Sequence, residues 1–125
     1  MIKSRPHYLN LLKIYLPITG VVSILHRISG ILLFCFIPVF IGTLKYSLFS
    51  EITFQNIQYF IYKPFISLLL FVFILALMQH FFAGLRFLLM DLDYVMDKVS
   101  SQKTAKISLL LSVVSTLAIM WGIYA

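Results

Sequence analysis

Long apolar runs separated by short polar segments dominate the sequence. Three of these runs cover residues 22–45, 64–90 and 107–125. A helix that crosses a ~30 Å hydrocarbon core needs roughly 20 predominantly apolar residues, so each run is long enough to span a membrane. The pattern therefore predicts an all-α membrane protein with three transmembrane helices, organised as a single anchor domain over residues 1–125.

The segments between the runs predict how the chain enters and leaves the bilayer. Residues 1–16 combine apolar positions at helical spacing with basic side chains, which is typical of an interfacial segment lying among lipid headgroups. Pro17 suits the start of the first span, where a missing amide hydrogen costs little. Residues 45–63 are interpreted as an outer loop, and residues 91–106 as a cytoplasmic loop.

Composition and charge exclude two classes of protein. With 62% hydrophobic residues, the chain is more apolar than a soluble domain, which is about half apolar. The net charge of +6 raises the possibility of nucleic-acid binding, but eight Lys and Arg residues fall on one side of the three-span arrangement and only Lys45 and Lys63 on the other. This asymmetry follows the positive-inside rule, placing the N-terminus in the cytoplasm and arguing against a nucleic-acid partner.

A first polar cluster stands at the beginning of the first span. Ser23, His26 and Arg27 are related as i, i+3 and i+4 on a helix, and Gly30 continues the same stripe. A hydroxyl, an imidazole and a guanidinium at this depth could bind a carbonyl or carboxylate that enters from the membrane interface. The alternative is that Arg27 extends to headgroups and Ser23 bonds back to its own helix.

A second cluster lies in the second span, where ionisable groups are costly and therefore functional candidates. His80, Gly84, Phe87 and Asp91 form one helical stripe, with Arg86 about a third of a turn away. A neutral imidazole at this depth can ligate haem iron, and a glycine one turn away leaves room for a porphyrin. The alternative is a histidine that only hydrogen-bonds to a neighbouring helix.

The number of histidines limits how a six-coordinate haem could be held. His26 is expected near the interface and His7 outside the membrane, so no second histidine is expected at the depth of His80. A second axial ligand would then come from another chain or from a methionine, such as Met78 or Met90.

Both clusters resemble sequence patterns of one family, the cytochrome b-type membrane-anchor subunits of succinate dehydrogenase (respiratory complex II). The first family pattern is Arg-Pro followed by Ser-x-x-His-Arg-x-Ser/Thr. The second is His-x-x-x-Gly-x-Arg-(His or Phe)-x-x-x-Asp. The positions that match are Arg5, Pro6, Ser23, His26, Arg27, Ser29, His80, Gly84, Arg86, Phe87 and Asp91.

The resemblance implies roles for four of the matched side chains. It makes His80 an axial ligand of the iron of haem b and His26 and Arg27 partners of the haem propionates. It makes Ser23 and Arg27 part of a ubiquinone pocket. The second haem ligand would come from a second small membrane-anchor subunit, while iron–sulfur and flavoprotein subunits would dock on the cytoplasmic face. His7 and Asp93 depart from the family pattern, which affects local contacts only.

The resulting function is electron transfer. The resemblance implies an anchor subunit of succinate:ubiquinone oxidoreductase, which passes electrons from an iron–sulfur subunit to ubiquinone in the tricarboxylic acid cycle and the respiratory chain. Succinate itself would bind other chains. Without a secretory signal or a typical transit peptide, the start of the chain favours a bacterial inner (plasma) membrane over the mitochondrial inner membrane. The alternatives are a fumarate reductase-type anchor and a non-redox small transporter or assembly protein.

Overall fold

Four helices make up the described part of the chain, a computed structural model that covers residues 16–94 and 97–125. They are α1 (Ile18–Ser47), α2 (Glu51–Ile61), α3 (Pro64–Asp91) and α4 (Lys98–Tyr124). Helices α1, α3 and α4 are each long and apolar enough to cross a membrane. The predicted all-α fold with three membrane-spanning helices is confirmed. The predicted interfacial segment, residues 1–16, lies outside the described residues except for Leu16.

Both predicted loops contain helix, so the loop predictions were wrong over these stretches. In the outer segment α2 begins after Ser50, whose hydroxyl accepts a hydrogen bond from the Thr53 amide while the Thr53 hydroxyl accepts one from the Ser50 amide. Helix α4 begins eight residues before the predicted end of the cytoplasmic loop, because Asp97 caps its first turn through the Ser100 amide at 2.8 Å. Hydrogen bonds from Ser100 lower the pKa of Asp97, so this cap stays ionised at neutral pH.

Small residues form the contacts between the three long helices. Among the buried side chains, Ala83 of α3 packs with Val22 of α1 and Ala105 of α4. Side chains of this size allow helix backbones to approach closely, which is the usual basis of helix association in lipid. Most large apolar side chains remain exposed, including Phe34 and Trp121. That surface is suited to lipid or to partner subunits rather than to water.

The turn between α3 and α4 holds Asp93, one of the two departures from the family pattern, in an unusual backbone conformation. Asp93 has φ of 61°, in the left-handed region that favours glycine. The amide of Asp93 donates to the Met90 carbonyl at 3.0 Å and the amide of Tyr94 to the Leu89 carbonyl at 3.2 Å. These two bonds form a Schellman motif, in which the residue at the Asp93 position must be left-handed.

Asp93→Gly is expected to stabilise the protein, because glycine adopts this conformation without the steric cost of a Cβ atom. The gain should be about 1 kcal/mol, measured as a higher midpoint of thermal inactivation of the assembled complex. Asp91→Gly, two residues earlier at the right-handed helical end of α3, is the matched control and should lower the midpoint. An unchanged or lower midpoint for Asp93→Gly would contradict the strain argument.

Candidate functional site

Two histidines from different helices meet between α1 and α3. The imidazole rings of His26 and His80 are stacked, with centroids 4.2 Å apart and planes 10° from parallel. Phe87 packs edge-on against His26 at 5.2 Å. His80, Gly84 and Phe87 therefore face α1 together, as their helical stripe predicts.

The expectation that His26 lies at a different depth from His80 was wrong. The two residues come from antiparallel helices, eight residues from the start of α1 and eleven from the end of α3, so they reach nearly the same level. The two stacked rings face each other, so they do not point their nitrogens into one shared space from opposite sides. Met90 lies about 15 Å along the same helix as His80, so it is not opposite His80 either.

Each histidine lies over a glycine of the other helix. A Cβ atom added to Gly30 would be 3.2 Å from Cε1 of His80, and one added to Gly84 would be 3.5 Å from Nε2 of His26. The motif His-x-x-x-Gly occurs in both helices, and antiparallel packing places the two copies against each other. This reciprocal pairing is the sequence signal that would have shown the histidines to be neighbours.

Hydrogen bonding distinguishes the two ring nitrogens of His80. Its Nδ1 is 3.2 Å from the main-chain carbonyl oxygen of His26, which can only accept, so Nδ1 carries the proton and donates. Ser29 donates its hydroxyl to the same carbonyl at 2.8 Å, and its oxygen lies 3.3 Å from Nδ1. Nε2, on the other side of the ring, has no hydrogen-bond partner among the described residues. Sequence reasoning assigned no role to Ser29.

Ser23 and Arg27, the predicted quinone residues, lie at the edge of this cluster. Ser23 is partly buried one turn before His26, and Arg27 is exposed. Several buried hydroxyls bond to carbonyls of their own helix, such as Ser108 to Ala105 at 2.9 Å. Within the described ranges, Ser23 makes no such bond, so its hydroxyl is available to another group.

Arg86 connects α3 to α4 rather than to the histidines. It is 3% exposed, and its guanidinium donates to the Ser101 hydroxyl at 2.9 Å and to the Thr104 hydroxyl at 3.3 Å. It also donates to the Ser101 carbonyl at 3.3 Å and lies over the face of the Phe87 ring, 5.4 Å from the ring centroid. His80 hydrogen-bonds to α1 and Arg86 to α4. Among the described residues, no hydrogen bond joins these two side chains, as a shared proton or anion path would need.

A large cavity in the described part lies away from this cluster. It has a volume of about 760 Å³, lies between α1, α2 and α3, and is lined mostly by apolar side chains such as Phe36 and Phe73. None of the predicted site residues lines it. The polar cluster instead lies at the surface of this chain, where another subunit could complete it.

Three apolar helices around an intramembrane histidine pair define a membrane-anchor protein. The sequence matches the family described as succinate dehydrogenase/fumarate reductase transmembrane subunit over residues 1–119. It is 35% identical over 92 residues to the succinate dehydrogenase cytochrome b556 subunit of Coxiella burnetii, covering 73% of this chain and 74% of that protein. It is 34% identical over 127 positions to the succinate dehydrogenase cytochrome b560 subunit of Reclinomonas americana, covering 97% of this chain and 87% of the relative.

The chain therefore belongs to the family of succinate dehydrogenase/fumarate reductase transmembrane subunits. It is a multi-pass membrane protein and a cytochrome b-type membrane-anchor subunit of a succinate dehydrogenase complex.

Proposed function

We propose that this subunit holds half of a haem b site through Nε2 of His80 and contributes Ser23 and Arg27 to a site where ubiquinone is reduced. The observation that carries the haem assignment is the bond from Nδ1–H of His80 to the His26 carbonyl. A histidine that ligates a metal through one nitrogen usually donates the other N–H to a carbonyl or carboxylate, which fixes the tautomer and the ring orientation.

The surrounding residues fit a haem group. His80 presents a neutral imidazole nitrogen in an apolar setting, and Gly30 and Gly84 leave the space that its ring and that of His26 occupy. His26 and the exposed Arg27 lie in the half of α1 that begins at Ile18, and they would bind the propionates. Bound haem b would supply a one-electron redox centre close to the quinone.

The second axial ligand is proposed to come from a second small membrane-anchor subunit. Stacked rings exclude His26 from the opposite face of the iron, and the position of Met90 excludes that methionine. Iron–sulfur and flavoprotein subunits would dock at the end of the bundle that carries the α3–α4 turn. Electrons would pass from the iron–sulfur subunit to ubiquinone, and succinate would be oxidised on the flavoprotein.

Ser23 and Arg27 would bind quinone oxygens. A hydroxyl and a guanidinium both donate hydrogen bonds, and charge-assisted bonds are the stronger kind. The Ser23 hydroxyl has no hydrogen-bond partner in the described ranges. It can therefore bind a ligand without first breaking a hydrogen bond within the protein. Because neither side chain lines a cavity of this chain, the pocket would be completed by the partner subunits.

Ser23→Ala is expected to lower ubiquinone reductase activity of the assembled complex about tenfold, matching the loss of a hydrogen bond worth ~1.4 kcal/mol in the transition state. Haem content and succinate oxidation by a soluble dye should stay close to wild type, because both use other residues. Ser108→Ala, which removes a buried hydroxyl bonded within α4, is the control and should leave quinone kinetics unchanged. Wild-type quinone kinetics in a well-assembled Ser23→Ala complex would remove Ser23 from the site.

We propose a bacterial inner membrane location with the N-terminus in the cytoplasm. The support is the distribution of basic residues: Lys98, Lys103 and Lys106 share the end of the bundle at which α1 begins, whereas Lys45 and Lys63 flank α2 at the other end.

This orientation is tested with single cysteines in a Cys35→Ala background, at the exposed positions Phe49 and Tyr94. A membrane-impermeant thiol reagent applied to intact cells lacking the outer membrane should label Phe49→Cys and leave Tyr94→Cys unlabelled until the cells are permeabilised. The reverse labelling would invert the topology.

Spectroscopy and the quinone potential distinguish the proposed function from its two alternatives. A reduced-minus-oxidised spectrum of the purified complex should show a b-type band, whereas a non-redox transporter or assembly protein would show none. A fumarate reductase-type anchor would also carry the family fold, and the midpoint potential of the quinone found with the purified complex distinguishes it.

A further inference from the structure

We propose that Ser29 is a positioning residue for the haem ligand: together with the His26 carbonyl it holds His80 in the tautomer with Nδ1 protonated and sets the basicity of Nε2. The proposal rests on the haem ligation by His80 proposed above and adds the residue that controls it. It concerns a hydroxyl from α1 acting on a histidine of α3, across the helix interface.

The geometry places three polar atoms in one small, protected triangle. Ser29 Oγ lies 2.8 Å from the His26 carbonyl oxygen and 3.3 Å from His80 Nδ1, and Nδ1 lies 3.2 Å from that carbonyl. Ser29 is 3% exposed, so water does not compete for these contacts at its position. Since the hydroxyl hydrogen is directed to the carbonyl, the hydroxyl oxygen offers its lone pairs to the Nδ1 proton.

Two acceptors around one N–H have two consequences. These acceptors disfavour the tautomer with the proton on Nε2, because the His26 carbonyl would then oppose an Nδ1 without a hydrogen, and the Ser29 hydroxyl would have to break its own bond to that carbonyl in order to donate to Nδ1. They also draw the Nδ1 proton away from the ring, which makes Nε2 a stronger electron donor and favours ferric over ferrous iron. Ser29 also restricts the rotation of the imidazole, because its oxygen lies on the side of Nδ1.

The chain offers a matched control for the loss of a buried serine. Ser108 is 4% exposed and donates to the carbonyl three residues earlier, at 2.9 Å, as Ser29 does at 2.8 Å. It belongs to α4 and makes no hydrogen bond to a histidine within the described residues. Any general effect of deleting a buried helix hydroxyl should therefore appear equally in Ser29→Ala and Ser108→Ala.

The experiment compares haem in the purified complex of wild type, Ser29→Ala, Ser29→Thr and Ser108→Ala by redox titration and by electron paramagnetic resonance. We expect Ser29→Ala to keep haem but to lower the ratio of oxidised to reduced haem at a given potential about threefold, an upward shift of roughly 30 mV, since tenfold is 59 mV for one electron. Its low-spin signal should broaden as the ring orientation spreads. Ser29→Thr, which keeps the hydroxyl, should restore both readouts, and Ser108→Ala should change neither.

A Ser29→Ala complex with wild-type potential and linewidth would overturn the proposal, as would an equal shift in Ser108→Ala. If Ser29→Ala does not assemble, Ser29→Cys, with a weak acceptor of similar size, should give an intermediate shift, and no shift there would also overturn it. Failure of the underlying haem assignment is distinguishable, because it would appear as haem retained unchanged in His80→Ala.

Discussion

Replacing His80 with alanine is expected to abolish the low-spin b-type absorption of the assembled complex. In the described bundle the Nδ1 of His80 is engaged with the His26 carbonyl while its Nε2 is unpartnered, and alanine cannot ligate iron. Helix α3 should still insert, because alanine is a good helix former and the apolar run remains intact. The measurement is a reduced-minus-oxidised spectrum normalised to flavin.

Gln79→Ala is a suitable control for that loss. Gln79 precedes His80 in α3 and is buried, but its Nε2 has no hydrogen-bond partner in the described residues. Its removal should leave the haem band in place. An unchanged spectrum and redox titration in His80→Ala would assign the haem to other residues and return His80 to a packing role between the helices.

The all-α fold was predictable because the length of an apolar run determines a membrane span, and that length can be read from the sequence alone. Their exact ends were less predictable. Helix α4 extends outward to Lys98 because a capping carboxylate at Asp97 and the contacts of Arg86 stabilise a polar first turn. Hydropathy does not register either effect. Helix α2 was missed for the same reason, since the capping hydroxyls of Ser50 and Thr53 stabilise a short helix in a segment of mixed polarity.

The residues of the candidate site were predictable from the sequence. The relative depths of His26 and His80 in the membrane were not. Helical periodicity correctly placed His80, Gly84 and Phe87 on one face. It could not place His26 beside them, because contact between α1 and α3 depends on how two antiparallel helices slide past each other. Two His-x-x-x-Gly motifs constrain that register, since the His80 ring needs a position without a side chain at Gly30 and the His26 ring lies against Gly84.

Enlarging Gly30 tests this packing and should have the other large effect. A Cβ atom at this position would lie 3.2 Å from Cε1 of His80, closer than an ordinary contact, so Gly30→Ala requires the ring to move by a few tenths of an ångström. Gly30→Val adds two further carbons against the same ring, which cannot be accommodated without displacing it. We expect Gly30→Val to lower haem occupancy of the assembled complex tenfold or more, a loss of the size seen when the partners that orient a metal-ligating histidine are removed.

Two other helical glycines serve as controls for Gly30→Val. Gly84→Ala would place its Cβ 3.5 Å from Nε2 of His26, an ordinary contact, and Gly42→Ala would meet nothing within 4 Å. Both should keep haem, and Gly42→Ala should in addition gain up to ~1 kcal/mol from the better helix propensity of alanine. Haem occupancy is measured by the pyridine haemochrome spectrum relative to flavin, with assembly checked by the ratio of subunits. A Gly30→Val complex that assembles with full haem would show that the His80 ring does not depend on the space above Gly30.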